Sequence, residues 1–155
     1  MRIRSFDESD FPAILDIYAK SKLDELVYER REFVLLPLED DERRLAQLRE
    51  SDVHVCEDNG VIAYGALFAS EIRALFVHPD YRGKGLGKLL LMHLLSMIEG
   101  PAVLYVAKTN APAKNLYEKF GFKVTEEFET TYNRVPVLAN KMVIDAQSPR
   151  NPNHA

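Results

Sequence analysis

Two rhythms of apolar and polar residues run along this chain. Met1 to Phe6 alternates, which predicts a short strand with Ile3 and Phe6 inward. Phe11, Ile14, Leu15 and Tyr18 then recur at i, i+3, i+4 and i+7, the stripe of an amphipathic helix. Asp7 to Asp10 offers capping oxygens before it, and Pro12 suits its first turn. A second helical segment is expected over about residues 24–31. A third, short one starts within 39–42, where acids favour the helix dipole, with Leu45 and Leu48 as its inner face. From Val53 the period drops to two. Runs 53–57 and 61–69 flank Asp58-Asn59-Gly60, a hairpin signal because Asn and Gly tolerate positive φ. A strand over 72–77 extends this meander.

The segment 86–98 is apolar nearly all round, which predicts a deeply packed helix, stopped by Gly100-Pro101. A short buried strand follows over 102–106. Asn110 caps the next helix, Pro112 sits in its first turn, and Ala113, Leu116, Tyr117 and Phe120 form its inner stripe. Two strands, 122–132 and 135–144, end the pattern. The order predicts an α/β (α+β) fold, one mixed sheet of about seven strands with helices on both faces. A single domain is expected over 1–146, with a loose tail over 147–155.

Composition changes little in this picture. The chain has 155 residues, 46% hydrophobic and 28% charged, enough apolar material for one core. A net charge of −4 argues against general nucleic-acid binding, which draws on a basic face. No apolar run has membrane-spanning length, and acids follow the first residues at once, unlike a signal peptide. Cys56 is the single cysteine, so no intrachain disulfide can form and a reducing, cytoplasmic setting is expected. It reads as a small buried residue rather than a nucleophile. The four histidines lack metal-ligand spacing, so no metal is expected.

The chemistry concentrates in Arg82-Gly83-Lys84-Gly85-Leu86-Gly87-Lys88, between the 72–77 strand and the long apolar helix. Three glycines let the backbone turn tightly and present N–H groups at a helix N-terminus, an anion site suited to phosphate. A P-loop is excluded, since Arg82 stands where its first glycine belongs and Leu89 where its hydroxyl belongs. A dinucleotide fingerprint fails because Lys88 or Leu90 fills its third glycine position. What remains is Arg-x-x-Gly-x-Gly on Arg82, Gly85 and Gly87. With Val77 and Pro79 before it, this resembles the acetyl-CoA pyrophosphate loop of the GCN5-related N-acetyltransferase (GNAT) superfamily. Asn110 to Phe122, with Tyr117 inside the helix, resembles the next motif of that superfamily, in the right order. The close likeness covers about residues 60–125.

The resemblance implies an acetyl-CoA-dependent N-acetyltransferase acting directly on a primary amine of an unidentified acceptor. It implies that the fourth and fifth strands splay to admit pantetheine. Unpaired N–H groups near Phe76 and Val77 would bind pantetheine and polarise the thioester carbonyl. Residues 82 to 88 would hold the pyrophosphate, Asn110 and Tyr117 would meet the pantetheine and the sulfur, and Tyr117 would protonate the departing thiolate. Glu71 is a candidate base, as are His54, His78, Glu25, Glu29 and Tyr64. Acids and aromatics on the first helices and last strands, Asp24, Glu25, Glu29 and Glu32 near Tyr28 and Phe33, then Glu126, Glu127, Glu129 and Tyr132, would suit a cationic amine. A catalytically silent acyl-CoA-binding module, an acyltransferase for longer acyl chains, and a homodimer stay open at this point.

Overall fold

The computed structural model describes residues 1–145, so the expected tail over 147–155 lies outside the described residues. The strands are β1 (Arg2–Ser5), β2 (Asp52–Glu57), β3 (Val61–Phe68), β4 (Glu71–Val77), β5 (Ala102–Ala107), β6 (Lys123–Tyr132) and β7 (Val135–Ile144). The α-helices are α1 (Phe11–Ser21), α2 (Glu42–Glu50), α3 (Leu86–Ser96) and α4 (Ala111–Lys119). Among the described residues the strands form one seven-stranded sheet in the order β1-β2-β3-β4-β5-β7-β6, with β4 and β5 as the only parallel neighbours. Among the described residues no helix is long and apolar enough to cross a membrane.

Side chains from the two faces of the sheet build separate cores, as the period of two requires. On one face Ile14, Ile17 and Tyr18 of α1 pack on Val53, Val55, Tyr64 and Phe76. On the other, Leu91, Leu94 and Leu95 of α3 join Phe120, Leu104, Met142 and Ile144. A Cβ on Gly65 would stand 2.7 Å from Leu94 Cδ1, so glycine there lets α3 lie close on β3.

Two sequence expectations change. The helix expected over 24–31 is a short 3-10 turn, Lys22–Leu26, followed by bends. Tertiary ties replace helical ones: Leu26 is buried with Tyr132 and Val137, and Asp24 is drawn to Arg82 at 2.6 Å. Helix α3 is not buried all round. Leu86, Leu90, Leu91, Leu94 and Leu95 face the sheet, whereas Leu89 is 43% exposed.

The feature that positions everything else is in β4. Ile72 pairs with Leu67 and Ala74 with Ala66, so Arg73 is an extra residue, a bulge. A bulge bends its strand and ends regular pairing. The parallel ladder to β5 stops there, holding only Glu71 to Val103 and Ile72 to Leu104. Beyond it β4 follows β3 and β5 follows β7, so the two strands part.

Burial also leaves a pH signature. Tyr18 and Tyr64 are nearly inaccessible in the core, and burial raises both phenols above their ordinary value of 10.0. Burial likewise raises the Cys56 thiol above 9.0. Above those ordinary values the unfolded chain releases protons that the folded chain keeps, so stability falls as pH rises. Urea midpoints are expected to hold from neutrality to about pH 9 and to drop steadily beyond it. Midpoints that rise over that alkaline range would contradict the burial of these groups.

Candidate active site

Past the bulge, ladder alternation decides which amides of β4 are free. His78 N–H donates to Ile62 C=O at 2.8 Å, just beyond the pair Val77 and Ala63. Hydrogen-bonded pairs alternate along an antiparallel ladder, so Phe76 exchanges its bonds with Tyr64. Leu75 and Val77 therefore turn their backbone groups toward the parted strand. The Val77 carbonyl accepts from Ser21 Oγ and from Arg82 Nε, each at 3.3 Å, as that direction requires. The Phe76 amide, expected to be open, belongs to the β3 ladder, and Leu75 offers an open one instead. The Phe76 ring stays at the site, its centroid 5.5 Å from those of both Tyr18 and Tyr64.

The glycine loop closes one end of this gap. A 3-10 turn, Pro79–Tyr81, leads out of β4, and Gly83 and Gly85 adopt φ of +78° and +79°. Among the described residues, chain neighbours apart, nothing lies within 4 Å of where a Cβ would project at either glycine. Gly85 caps α3, and Leu89 N–H makes a first intrahelical bond back to its carbonyl at 3.0 Å. The N–H groups of Leu86, Gly87 and Lys88 consequently have no intrahelical acceptor. Arg82 is held across the gap by Asp24. The Lys84 ammonium stands 5.3 Å from the Tyr81 ring centroid. The Lys84 and Lys88 side chains do not line the cleft that the other loop residues line.

That cleft has a volume of about 620 Å³. Arg82, Gly83, Gly85, Leu86 and Gly87 line its loop end, Phe76 and Val77 one wall, and Asn110 and Tyr117 the other. Asn110 Oδ1 accepts from Ala113 N–H at 3.4 Å, fixing the start of α4. Two helical turns on, the half-buried Tyr117 ring meets Phe122 edge-on at 5.9 Å. Burial first, and the Glu25 carboxylate second, raise the Tyr117 phenol well above 10.0. It is therefore a neutral proton donor throughout the physiological range.

A second cavity, about 170 Å³, lies on the α1 and α2 face of the gap. Lys22, Glu25, Arg44, Phe76, Tyr105 and Tyr117 line both, so the parted strands open to both faces of the sheet. Glu71 lines neither. It stands where β4 and β5 are still paired, 3.6 Å from Arg73 Nε. Glu25, only one of several alternatives in the sequence, is the carboxylate at the junction. Of the other acids expected around an acceptor, Asp24 is paired with Arg82, Glu29 is bonded to Thr109, and Glu127 is paired with Lys108 at 2.7 Å. Tyr18 and Arg44 were not anticipated. Tyr18 reads as core by its helical spacing, and Arg44 reaches the gap only through the placement of α2.

Comparison with known proteins agrees with this geometry. A family model described as an acetyltransferase (GNAT) domain matches residues 49–124. The L-methionine sulfoximine/L-methionine sulfone acetyltransferase of Salmonella typhimurium is 31% identical over 146 residues, covering 82% of each chain. The peptidyl-lysine N-acetyltransferase YjaB of the same organism is 36% identical over 77 residues, 50% of this chain; the match spans about half of that relative, 52% of its length. The structure of yncA from Salmonella typhimurium with its cofactor acetyl-CoA shares the fold, with a TM-score of 0.66 at 24% identity, over 100% of this chain and 99% of that one. The glycine loop, the parted strands and a match along most of a named acetyltransferase lead to one conclusion: this chain belongs to the GNAT acetyltransferase superfamily.

Proposed function

We propose that this protein is an acetyl-CoA-dependent N-acetyltransferase that moves the acetyl group directly to a primary amine. The observation that carries this reading is the continuity of the cleft. It runs from the glycine loop, along the open amides of β4, to Tyr117, and out to a second cavity across the sheet. The open space above Gly83 and Gly85 would be filled by any side chain, so the loop fits a bound pyrophosphate.

A bound thioester supplies an activated acetyl carbonyl; the chain supplies the rest. The N–H groups of Leu86, Gly87 and Lys88, with the helix dipole, hold the pyrophosphate. The N–H groups of Leu75 and Val77 take the pantetheine and the carbonyl oxygen, whose charge grows as the amine adds. Glu25 takes the amine's proton. The carbon–nitrogen bond forms, the carbon–sulfur bond breaks, and Tyr117 passes its proton to the sulfur. The products are an N-acetyl amide and the CoA thiol. The lone cysteine is buried, which supports a reducing, cytoplasmic setting. The two named relatives take different acceptors, a peptidyl lysine and L-methionine sulfoximine or sulfone.

Calorimetric titration with acetyl-CoA and with CoA tests the reading. Both are expected to bind, and Gly85→Glu, which sets a carboxylate against the phosphates, is expected to weaken both by at least about 30-fold with the far-ultraviolet spectrum unchanged. Binding of neither ligand to the wild-type chain would overturn the proposal. For the acid, Tyr117→Phe is expected to lower kcat by about 100-fold with little change in KM for acetyl-CoA. An unchanged kcat would remove Tyr117 from the chemistry.

A further inference from the structure

The second cavity carries more charge than its size requires, and the charge is asymmetric. Its lining holds Lys22, Arg44 and Arg73 against one carboxylate, Glu25. Two of the three cations are already committed. Lys22 Nζ is 2.8 Å from Glu25. Arg73 is bonded to Glu50 at 2.5 Å, faces Glu71, and lies over the Phe68 ring with its carbon 4.0 Å from the centroid. Arg44 differs. Asp41 takes one bond to Nη1, at 3.1 Å, and holds the guanidinium in place from the helix N-cap. The Nε and Nη2 donors of Arg44 have no protein acceptor among the described residues. A guanidinium offers five donors in a planar fork, and the free edge is the one that pairs with a carboxylate in two parallel bonds.

A second and independent observation stands beside it. Tyr18 also lines this cavity, and its buried hydroxyl has no hydrogen-bond partner among the described residues. A buried donor without an acceptor is costly, and a ligand oxygen there would satisfy it. The Arg44 charge reaches Tyr18 and Tyr132 alike, and its carbon sits 5.1 Å from the Tyr132 ring centroid. Arg44, Tyr18 and Glu25 all line this cavity, and Glu25 also borders the cofactor cleft beside Tyr117.

We infer that this cavity is the acceptor site for a free primary amine that also carries a carboxylate, an amino acid by class. Arg44 and Tyr18 hold the carboxylate, and Glu25 holds the amine facing the thioester. The inference rests on the proposed acetyl transfer and adds the identity of the acceptor class. A volume of about 170 Å³ suits a small free acceptor. A lysine within a chain, or a polyamine, presents no carboxylate to the guanidinium and leaves the open edge of Arg44 and the Tyr18 hydroxyl without an acceptor.

The test is a thiol-release assay at saturating acetyl-CoA. The panel holds the common L-amino acids, the carboxamide and the decarboxylated amine of each, a polyamine, and a lysine-containing peptide blocked at both ends. At least one amino acid is expected to be acetylated, with kcat/KM exceeding that of its carboxamide by about 30-fold or more, the worth of a charged hydrogen-bonded pair. In Arg44→Gln that ratio is expected to fall toward one, and Arg44→Lys, which keeps the charge without the fork, is expected to restore it only in part. Acetyl-CoA affinity, measured on each variant, reports that the fold is intact. Carboxamides, polyamine or blocked peptide acetylated as well as the acids would overturn the inference. So would acetyl-CoA binding without turnover of any carboxylated amine, an outcome that leaves the proposed transferase standing. Failure to bind acetyl-CoA at all is the separate result that would remove both.

Discussion

The site depends on a broken strand pairing. One extra residue, Arg73, bends β4 and ends its ladder with β5 after two residue pairs. The open amides of β4 and the glycine loop lie beyond that point. Had the ladder continued, the Leu75 and Val77 amides would be satisfied within the sheet and no passage would join its two faces. Open amides inside a sheet are costly unless something pairs with them. The exposed rows of β4 are therefore better understood as half of a binding interaction than as a defect. The cost is borne by the surrounding structure: β3 pairs with β4 throughout, β7 pairs with β5 throughout, and α3 and α4 pack a continuous core beneath.

Charge is distributed in keeping with the two-sided gap. On the loop side the cradle is mainly backbone, with φ-positive glycines and the unpaired start of α3, while Arg82 is held by Asp24. On the side of the second cavity it is mainly side chain, with Glu25 and Arg44 bordering both spaces. The short 3-10 segment Lys22–Leu26 carries the ties to both: Asp24 reaches Arg82 of the glycine loop, and Glu25 borders the cleft and the second cavity.

Local signals account for much of the molecule. The Asn-Gly hairpin, the glycine loop feeding α3, the Asn110 cap and the Tyr117 stripe all act within a few residues of one another, so the chain states them directly. The succession of elements along the chain and the family likeness followed from these. What could not be read has a common physical character. The bulge at Arg73 has no glycine or proline to mark it and exists only in the register between β3 and β4. Glu71 looked well placed by position in sequence, yet the bulge separates it from the open part of the gap. Arg44 and Tyr18 lie on different helices, and only the packing of α1 and α2 on one face of the sheet brings them to one cavity. The packed appearance of α3 misled in a smaller way, since hydrophobicity alone cannot say that Leu89 turns outward.

The central claim is that the parted strands form the slot for the cofactor. Amide hydrogen exchange at three consecutive residues of β4 tests it most directly. Phe76, bonded within the β3 ladder, should exchange slowly with or without ligand. Leu75 and Val77 should exchange much faster than Phe76 in the free protein and become protected on adding saturating CoA. Protection of Leu75 and Val77 without ligand, or exchange unaltered by CoA, would contradict the account.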